Sequence, residues 1–414
     1  MTPSERAAWL VERQTEAGFV TPAYGGRCFA GLPGTCYALL GADVGPTLPA
    51  SVVDRLIGGT PPERVVVVVV DGFGWDQLTR ERGRHSSLDR LLDVGRLEPL
   101  TSTFPSETAA AMTTFRTAAY PHEHGVVGWF QYVASLERVV LPLPFTTVDG
   151  TPLSTVAPGF DRATLFRGNA AVERARPGVT TATVRPAAIG ADYPYEGLDG
   201  FAPSLAAAVD AAGSSSVVTA YVPQVDAVAH RVGTRAGDYH ETVGAVFDAI
   251  VETVDDVADD RTLFLVTADH GHVDTDPTTN VDLRDDRFDR LWETFRRRSD
   301  GTVVPPTGSP RQLHLHVRDG ARDEARTVID RHLDAHVFDQ SEAIEHELWG
   351  PGDSDEAFRS RLGDLLVVPR ERGVWYGDDE LAQIGMHGGA TRAEMLVPLL
   401  GITPSGRSEP PHET

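Results

Sequence analysis

The chain has 414 residues, 41% of them hydrophobic, enough to bury one large α/β core carrying an inserted subdomain. Its 60 acidic and 37 basic residues give a formal charge of -23, and every basic residue is an arginine. Such a surface excludes a general binder of nucleic-acid polymers or anionic membranes, because phosphate backbones and lipid headgroups need a positive face.

An acid excess without lysine is what a protein kept soluble in concentrated salt needs, so a halophilic source is expected. The opening residues, MTPSERAAWLVERQ, have no basic segment followed by an apolar run, and no stretch is long enough to span a bilayer. A cytoplasmic location is therefore expected. Cys28 and Cys36 are the only cysteines and show no CxxC spacing, which reads as two small buried apolar side chains in a reducing compartment.

In chain order, residues 64–70 (RVVVVVV) are β-branched throughout, as in a central parallel strand covered on both faces, and lead into Asp71-Gly72. Residues 96–102 (RLEPLTS) form a second strand leading to Thr103, and PSETAAAMTTFRT then reads as a helix with Pro105 near its first turn. Residues 215–222 end before Pro223, and VDAVAHRVG begins another helix. Residues 262–268 (TLFLVTA) end at Asp269-His270-Gly271. Each polar cluster thus follows the C-terminal end of a predicted strand, where open parallel sheets build their ligand sites. The stretch from about 280 to 380 breaks this rhythm and reads as an inserted cap, after which LVPLLGI (396–402) returns to the sheet. The expected organisation is a catalytic α/β domain over 1–280 and 381–402, mostly parallel and flanked by helices, a cap subdomain over 281–380, and a tail over 403–414.

The residues that carry chemistry are Asp71, Thr103, Asp226 with His230, Asp269 with His270, and His387. Asp226 and His230 stand four apart, so on a helix they project from one face toward one ion. Asp269 and His270 leave a strand side by side, and the glycines of MHGGAT let the backbone approach close to His387. Seven oxygen and nitrogen donors with no thiolate suit two divalent ions, zinc first and manganese as the alternative. Such a pair clamps the attacking and leaving oxygens of an in-line phosphoryl displacement. Thr103 is the candidate nucleophile: an alcohol needs activation by a base or cation, and the start of a helix favours a phosphate.

At these residues the sequence resembles the type I phosphodiesterase and nucleotide pyrophosphatase family, within the alkaline phosphatase superfamily. The resembling segments are VVVVVVDGFGWDQL, TSTFPSETAAAMTTFRTAAYPHEHGVVG, YVPQVDAVAH, TADHG and MHGGATRAEMLVPLL, in the family's order over about residues 64–402. The resemblance implies an alkaline-phosphatase-like fold in which Asp71, Thr103, Asp269 and His270 hold one metal and Asp226, His230 and His387 the other. Thr103 would attack phosphorus, and Phe104 would lie against a nucleotide base or pack the helix start. The family's phosphate-contacting Asn after its PxxHG motif is missing, Gly128 and Trp129 standing there instead. The implied reaction is hydrolysis of phosphodiesters or nucleotide-like pyrophosphates through a phospho-threonine. Alternatives on the same site are a phosphomonoesterase, a phosphonate hydrolase or a phosphomutase, and from another class a noncatalytic metal-stabilised binding protein. TFPSE lacks the C/S-x-P-x-R needed by a sulfatase. Of the remaining histidines, His122 and His124 read as structural, His272 as backing the metal ligands or packed, and His314 and His316 as sharing one strand face.

Overall fold

The computed structural model describes residues 1–414 apart from 58–60, 176, 258, 260 and 404–414, so the expected tail lies outside the described residues except for Thr403. Its main sheet has seven strands: β1 (Arg64–Val70), β2 (Arg96–Thr101), β3 (Thr180–Pro186), β4 (Tyr193–Tyr195), β5 (Ser216–Val222), β6 (Thr262–Thr267) and, at the end of the described chain, Leu396–Ile402. The order is β2, Leu396–Ile402, β6, β1, β5, β3, β4. Val65 of β1 pairs in parallel with Val217 on one side and Leu263 on the other. Residues 65–70 are buried on both faces, which is why an unbroken run of valine is stable there and polar alternation is absent. Leu396–Ile402 runs antiparallel to both its neighbours, so β2 points the same way as β1, β5 and β6. The C-terminal ends of all four strands therefore open on one edge.

Helices α1 (Ser86–Val94), α2 (Thr108–Thr117), α3 (Phe201–Ala211), α4 (Gln224–Val232) and α5 (Gly237–Val257) flank the sheet. Leu88 and Leu91 of α1, Phe201 and Leu205 of α3, and Val243, Phe247 and Ile250 of α5 join the β1 valines in one apolar core. In α5 these side chains recur at three- and four-residue spacing, the stripe that lets a helix lie on a sheet.

A second, four-stranded antiparallel sheet is built by β7 (Thr307–Ser309), β8 (Gln312–Leu315), β9 (Ala335–Asp339) and β10 (Leu365–Pro369), in the order β7, β8, β10, β9. It has its own core, to which Phe288, Leu313, Ile329, Val367 and Trp375 contribute together with Phe130 and Tyr132 from farther back in the chain. The turn between β7 and β8 carries Pro310 and Arg311. The Arg311 guanidinium, fully buried, donates to both carboxylate oxygens of Glu394 at 3.0 and 3.2 Å and to the carbonyls of Arg370 and Arg372. This pair ties the second sheet to the segment that follows His387.

Candidate metal centre

Two groups of donors meet at the open edge of the main sheet. Asp71, Asp269 and His270 form one, Asp226, His230, His272 and His387 the other, and within each group the donor atoms lie within 4.8 Å of one another. The His270 and His387 rings stack at 3.7 Å, so the groups are neighbours. Each ligand position has a local cause. Asp71 is the first residue beyond β1 and Asp269 the second beyond the adjacent parallel β6, and Asp226 and His230 are one turn apart on α4. Gly72 has φ +69°, and a Cβ there would collide with the His272 ring.

All four imidazoles are oriented the same way. Nδ1 of His230, His270, His272 and His387 lies 2.7, 3.1, 2.9 and 3.2 Å from the carbonyls of Gly385, Gly271, Gly72 and Ser106. A carbonyl can only accept, so each Nδ1 carries a proton and Nε2 is the nitrogen turned toward the centre, where it can ligate an ion. Those nitrogens face carboxylates: His272, His230 and His387 Nε2 stand 3.0, 3.3 and 3.6 Å from Asp226 Oδ1, and His270 Nε2 is 3.2 Å from Asp71 Oδ1. Imidazole nitrogens and carboxylate oxygens converging at these distances suit a metal cation between them, and one oxygen of Asp269 is buried without any hydrogen-bond partner. The residues present fit two divalent ions.

The electrostatics agree. Burial, then the charge of Asp226, pushes Asp71 up to about 8 in the metal-free protein, and burial with Asp71 lifts Asp269 to about 7. Burial pulls His230 down, but the Asp226 carboxylate outweighs it and raises the imidazole to about 9. Three carboxylates so close in a dry site cannot all stay ionised without positive charge.

Of the residues singled out in the sequence, Asp71, Asp226, His230, Asp269, His270 and His387 come together here. Thr103 does not: it is fully buried and its hydroxyl donates to the Pro105 carbonyl at 3.3 Å. The chain stays non-helical from Ser102 to Glu107, and α2 begins at Thr108, so Pro105 is not in the first turn and Thr103 is not at the helix start. Thr108 takes that place. Its Oγ1 is 3.0 Å from His270 Nε2 and 3.4 Å from Asp71 Oδ1, at the end of a helix whose first N-H groups have no intrahelical acceptor. Phe104 packs edge-on against Trp349 and lines a separate cavity of ≈170 Å³.

Three further groups stand at the centre, of which the sequence points only to His272, as backing the metal ligands or packed. His272 completes the Asp226 group. The Tyr221 hydroxyl donates to Asp71 Oδ2. Glu107, which precedes Thr108 and is raised to about 8 chiefly by burial, faces His387 at 3.9 Å. The remaining histidines lie elsewhere: His124 bonds Thr114, His122 bonds the Trp349 carbonyl, and His314 and His316 are buried in the second sheet. The centre opens into a cavity of ≈860 Å³ lined by Asp71, Thr108, Asp226, His230 and His387 on one side and by Trp129, Phe130, Leu143 and Ile189 on the other.

A family model described as type I phosphodiesterase / nucleotide pyrophosphatase matches residues 65–390. The chain belongs to this family. It is therefore a phosphoric ester hydrolase of the nucleotide pyrophosphatase/phosphodiesterase type. Among solved structures, murine ectonucleotide pyrophosphatase/phosphodiesterase 5, in an inactive form complexed with AMP, is similar at 16% identity and TM-score 0.61, over 83% of this chain and 88% of that one. Phosphonoacetate hydrolase from Sinorhizobium meliloti with phosphonoacetate is similar at 16% identity and TM-score 0.55, over 84% and 92%. A variant of the alkaline phosphatase PafA is similar at 13% and 0.57, over 83% and 91%. These likenesses give the alkaline-phosphatase-like fold. No curated protein sequence matches the chain. No helix among the described residues is long and apolar enough to cross a membrane.

Proposed function

We propose that the chain hydrolyses phosphodiesters or nucleotide-like pyrophosphates through a covalent intermediate on Thr108. The observation that carries this reading is the position of Thr108 Oγ1, 3.0 Å from His270 Nε2 and 3.4 Å from Asp71 Oδ1, at the N-terminus of α2 and on the wall of the ≈860 Å³ cavity. Asp71, Asp269 and His270, with Thr108, would hold one divalent ion, and Asp226, His230, His272 and His387 the other. Zinc suits this mixture of imidazole and carboxylate, with manganese as the alternative. When bound, the ions would favour the alkoxide form of the threonine and neutralise charge on the phosphoryl group and the leaving oxygen.

Thr108 Oγ1 forms the new bond to phosphorus in line with the departing ester oxygen, which leaves with the bonding electron pair. Water then cleaves the Thr108 ester and restores the hydroxyl, so one water is consumed and the leaving alcohol gains a proton. Two displacements give net retention at phosphorus. The unpaired N-H groups at the start of α2 orient the phosphoryl oxygens, and Tyr221 fixes the Asp71 carboxylate. Trp129, standing where the family's Asn is missing, supplies apolar wall. A cavity this large with such a wall suits an ester carrying a bulky arm better than a small monoester.

The cap role proposed for 281–380 is supported by Ser309, Pro310 and Glu380, which lie on the same cavity. The two buried free cysteines suit the proposed cytoplasmic location, and the charge of -23 a salt-rich one. The test is a comparison of bis-p-nitrophenyl phosphate, p-nitrophenyl phosphate and p-nitrophenyl phenylphosphonate. The diester should have the highest kcat/KM; preference for the monoester would overturn the phosphodiesterase reading and leave the phosphatase one.

A further inference from the structure

Beside the metal-facing cavity lies an outer chamber of ≈700 Å³, and the two share Met112, Leu143, Arg162, Arg185, Ile189 and Tyr221. Arg162 and Arg185 thus stand on the common wall, and Arg116 faces the outer chamber alone. Its described lining holds these three cations against one carboxylate, Glu173, in a chain that carries 60 acidic residues to 37 basic ones. None of the three guanidiniums forms an ion pair or hydrogen bond with a described residue. Arg116 and Arg162 lie over the same Phe166 ring, at 5.9 and 5.6 Å, and Arg162 also over Phe145 at 4.9 Å. Arg185 Nε is buried without a partner. Burial, then the charge of Arg116, depresses Arg162, so the cluster keeps an uncompensated positive field that an incoming anion would relieve. Arg116 and Arg162 are exposed and Arg185 is half-buried, so a solute can reach all three; the buried, acceptor-less Nε of Arg185 is costly unless something binds it, and the planar fork of each matches carboxylate and phosphate oxygens.

We propose that Arg116, Arg162 and Arg185 form a second anion-binding site, which takes an oxyanion on the arm of the substrate remote from the scissile phosphorus. The proposal rests on the phosphodiesterase reading of the metal centre and deepens it: the preferred ester is one with two separated anionic groups joined by an apolar or aromatic spacer, the first at Thr108 and the second in the outer chamber. Met112, Leu143 and Ile189 line the passage between them.

The test is calorimetric, with the metal-loaded protein at one fixed KCl concentration and hydrolysis-resistant phosphonates as probes. Benzyl- and biphenylmethylphosphonate are compared with analogues bearing a terminal carboxylate or a terminal phosphonate. At least one spacer should bind tenfold or more tightly with a terminal anion. Arg185→Gln and Arg162→Gln should each remove most of that gain while leaving the affinity of the unsubstituted phosphonate within about twofold. Arg116→Gln serves as a further variant if Arg162→Gln, which loses two aromatic contacts, does not fold. Absence of a gain with every spacer, or a gain that survives these substitutions, overturns the proposal. Whether the second oxyanion is a carboxylate or a phosphate is decided by which terminus binds more tightly. Binding is read without turnover, so failure of the model esters to hydrolyse would sink the phosphodiesterase reading alone.

Discussion

The Thr108 hydroxyl stands 3.0 Å from His270 Nε2, whereas the Thr103 hydroxyl is turned into the carbonyl of Pro105. The two threonines therefore make opposite predictions. Thr108→Ala removes the oxygen proposed to attack and should lower kcat by about a thousandfold or more, with the fold retained. Thr103→Val should stay within about tenfold of wild type. Acid quench of a labelled diester should leave phosphate on Thr108; label on Thr103, or normal turnover by Thr108→Ala, would reverse the assignment.

His272 faces Asp226 with one ring nitrogen and Gly72 with the other. If it completes the donor set around Asp226, His272→Ala should weaken one of two bound ions by about 10- to 100-fold and leave the other in place. Competition with a chromophoric chelator, read alongside elemental analysis, checks this. Equal loss of both ions would instead mean that the ring merely packs beneath the site.

The sheet was legible because its residues obey local rules. The valine run of β1, the apolar strand before Asp269 and the four-residue spacing of Asp226 and His230 are stated by neighbours in sequence, and the structure puts them where those rules do. The sequence points to a helix start near Thr103 where the structure has it at Thr108, because Pro105 imitates a first-turn proline, while Glu107 occupies the N-cap position without capping through its side chain. No short-range signal marked Thr108 as the start of α2. Tyr221 and the Arg311–Glu394 pair were hidden for another reason, and His272 was legible only as backing the metal ligands or packed: each acquires its role from a partner far away in sequence. Phe104 likewise finds Trp349 only after folding and is taken up by the core.

The Arg311–Glu394 pair is fully buried, and Glu394 also accepts from the N-H groups of Gly389 and Thr391 at 3.0 and 3.2 Å. Removing one charge strands the other in a dry site. Arg311→Leu should cost about 3–5 kcal/mol in denaturant unfolding. Because Glu394 holds the segment just after His387, the same variant should weaken metal binding before it unfolds. A loss under 1 kcal/mol (about the value of an exposed pair) would mean that water reaches the site.

Three histidines give stability a pH dependence. Burial holds His124 well below the ordinary imidazole range and brings His314 and His316 down to about 3. They stay neutral in the folded chain while the unfolded chain takes up protons below about pH 6.5, so the unfolded state binds more protons and stability falls with falling pH. Each should contribute a slope of ~1.4 kcal/mol per pH unit below about 6.5, and for His314 and His316 this should continue to about pH 3. Urea titrations at fixed metal concentration measure it. His316→Phe should make the slope shallower by about one proton; an unchanged slope would show that the ring is hydrated or protonated in the folded state.

Salt provides the last prediction. A charge of -23 with no lysine repels itself most where the Debye length is long, roughly 30 Å at 0.01 M salt against about 3 Å at 1 M. Lowering KCl should therefore loosen the fold. The carboxylates of Asp71, Asp226 and Asp269 lie in the same negative field, so dilution should at the same time strengthen cation binding at the centre. Circular dichroism and diester hydrolysis followed together, with zinc held constant, separate the two effects. Secondary structure and activity should fall in step as KCl drops below about 1 M, with bound zinc partly offsetting the loss. Full activity and structure at about 0.05 M would assign the composition to codon usage and remove the case for a salt-rich environment. If activity disappears while the helices persist, the salt requirement belongs to the metal centre or to the second sheet, and the Arg311–Glu394 connection between them becomes the place to look.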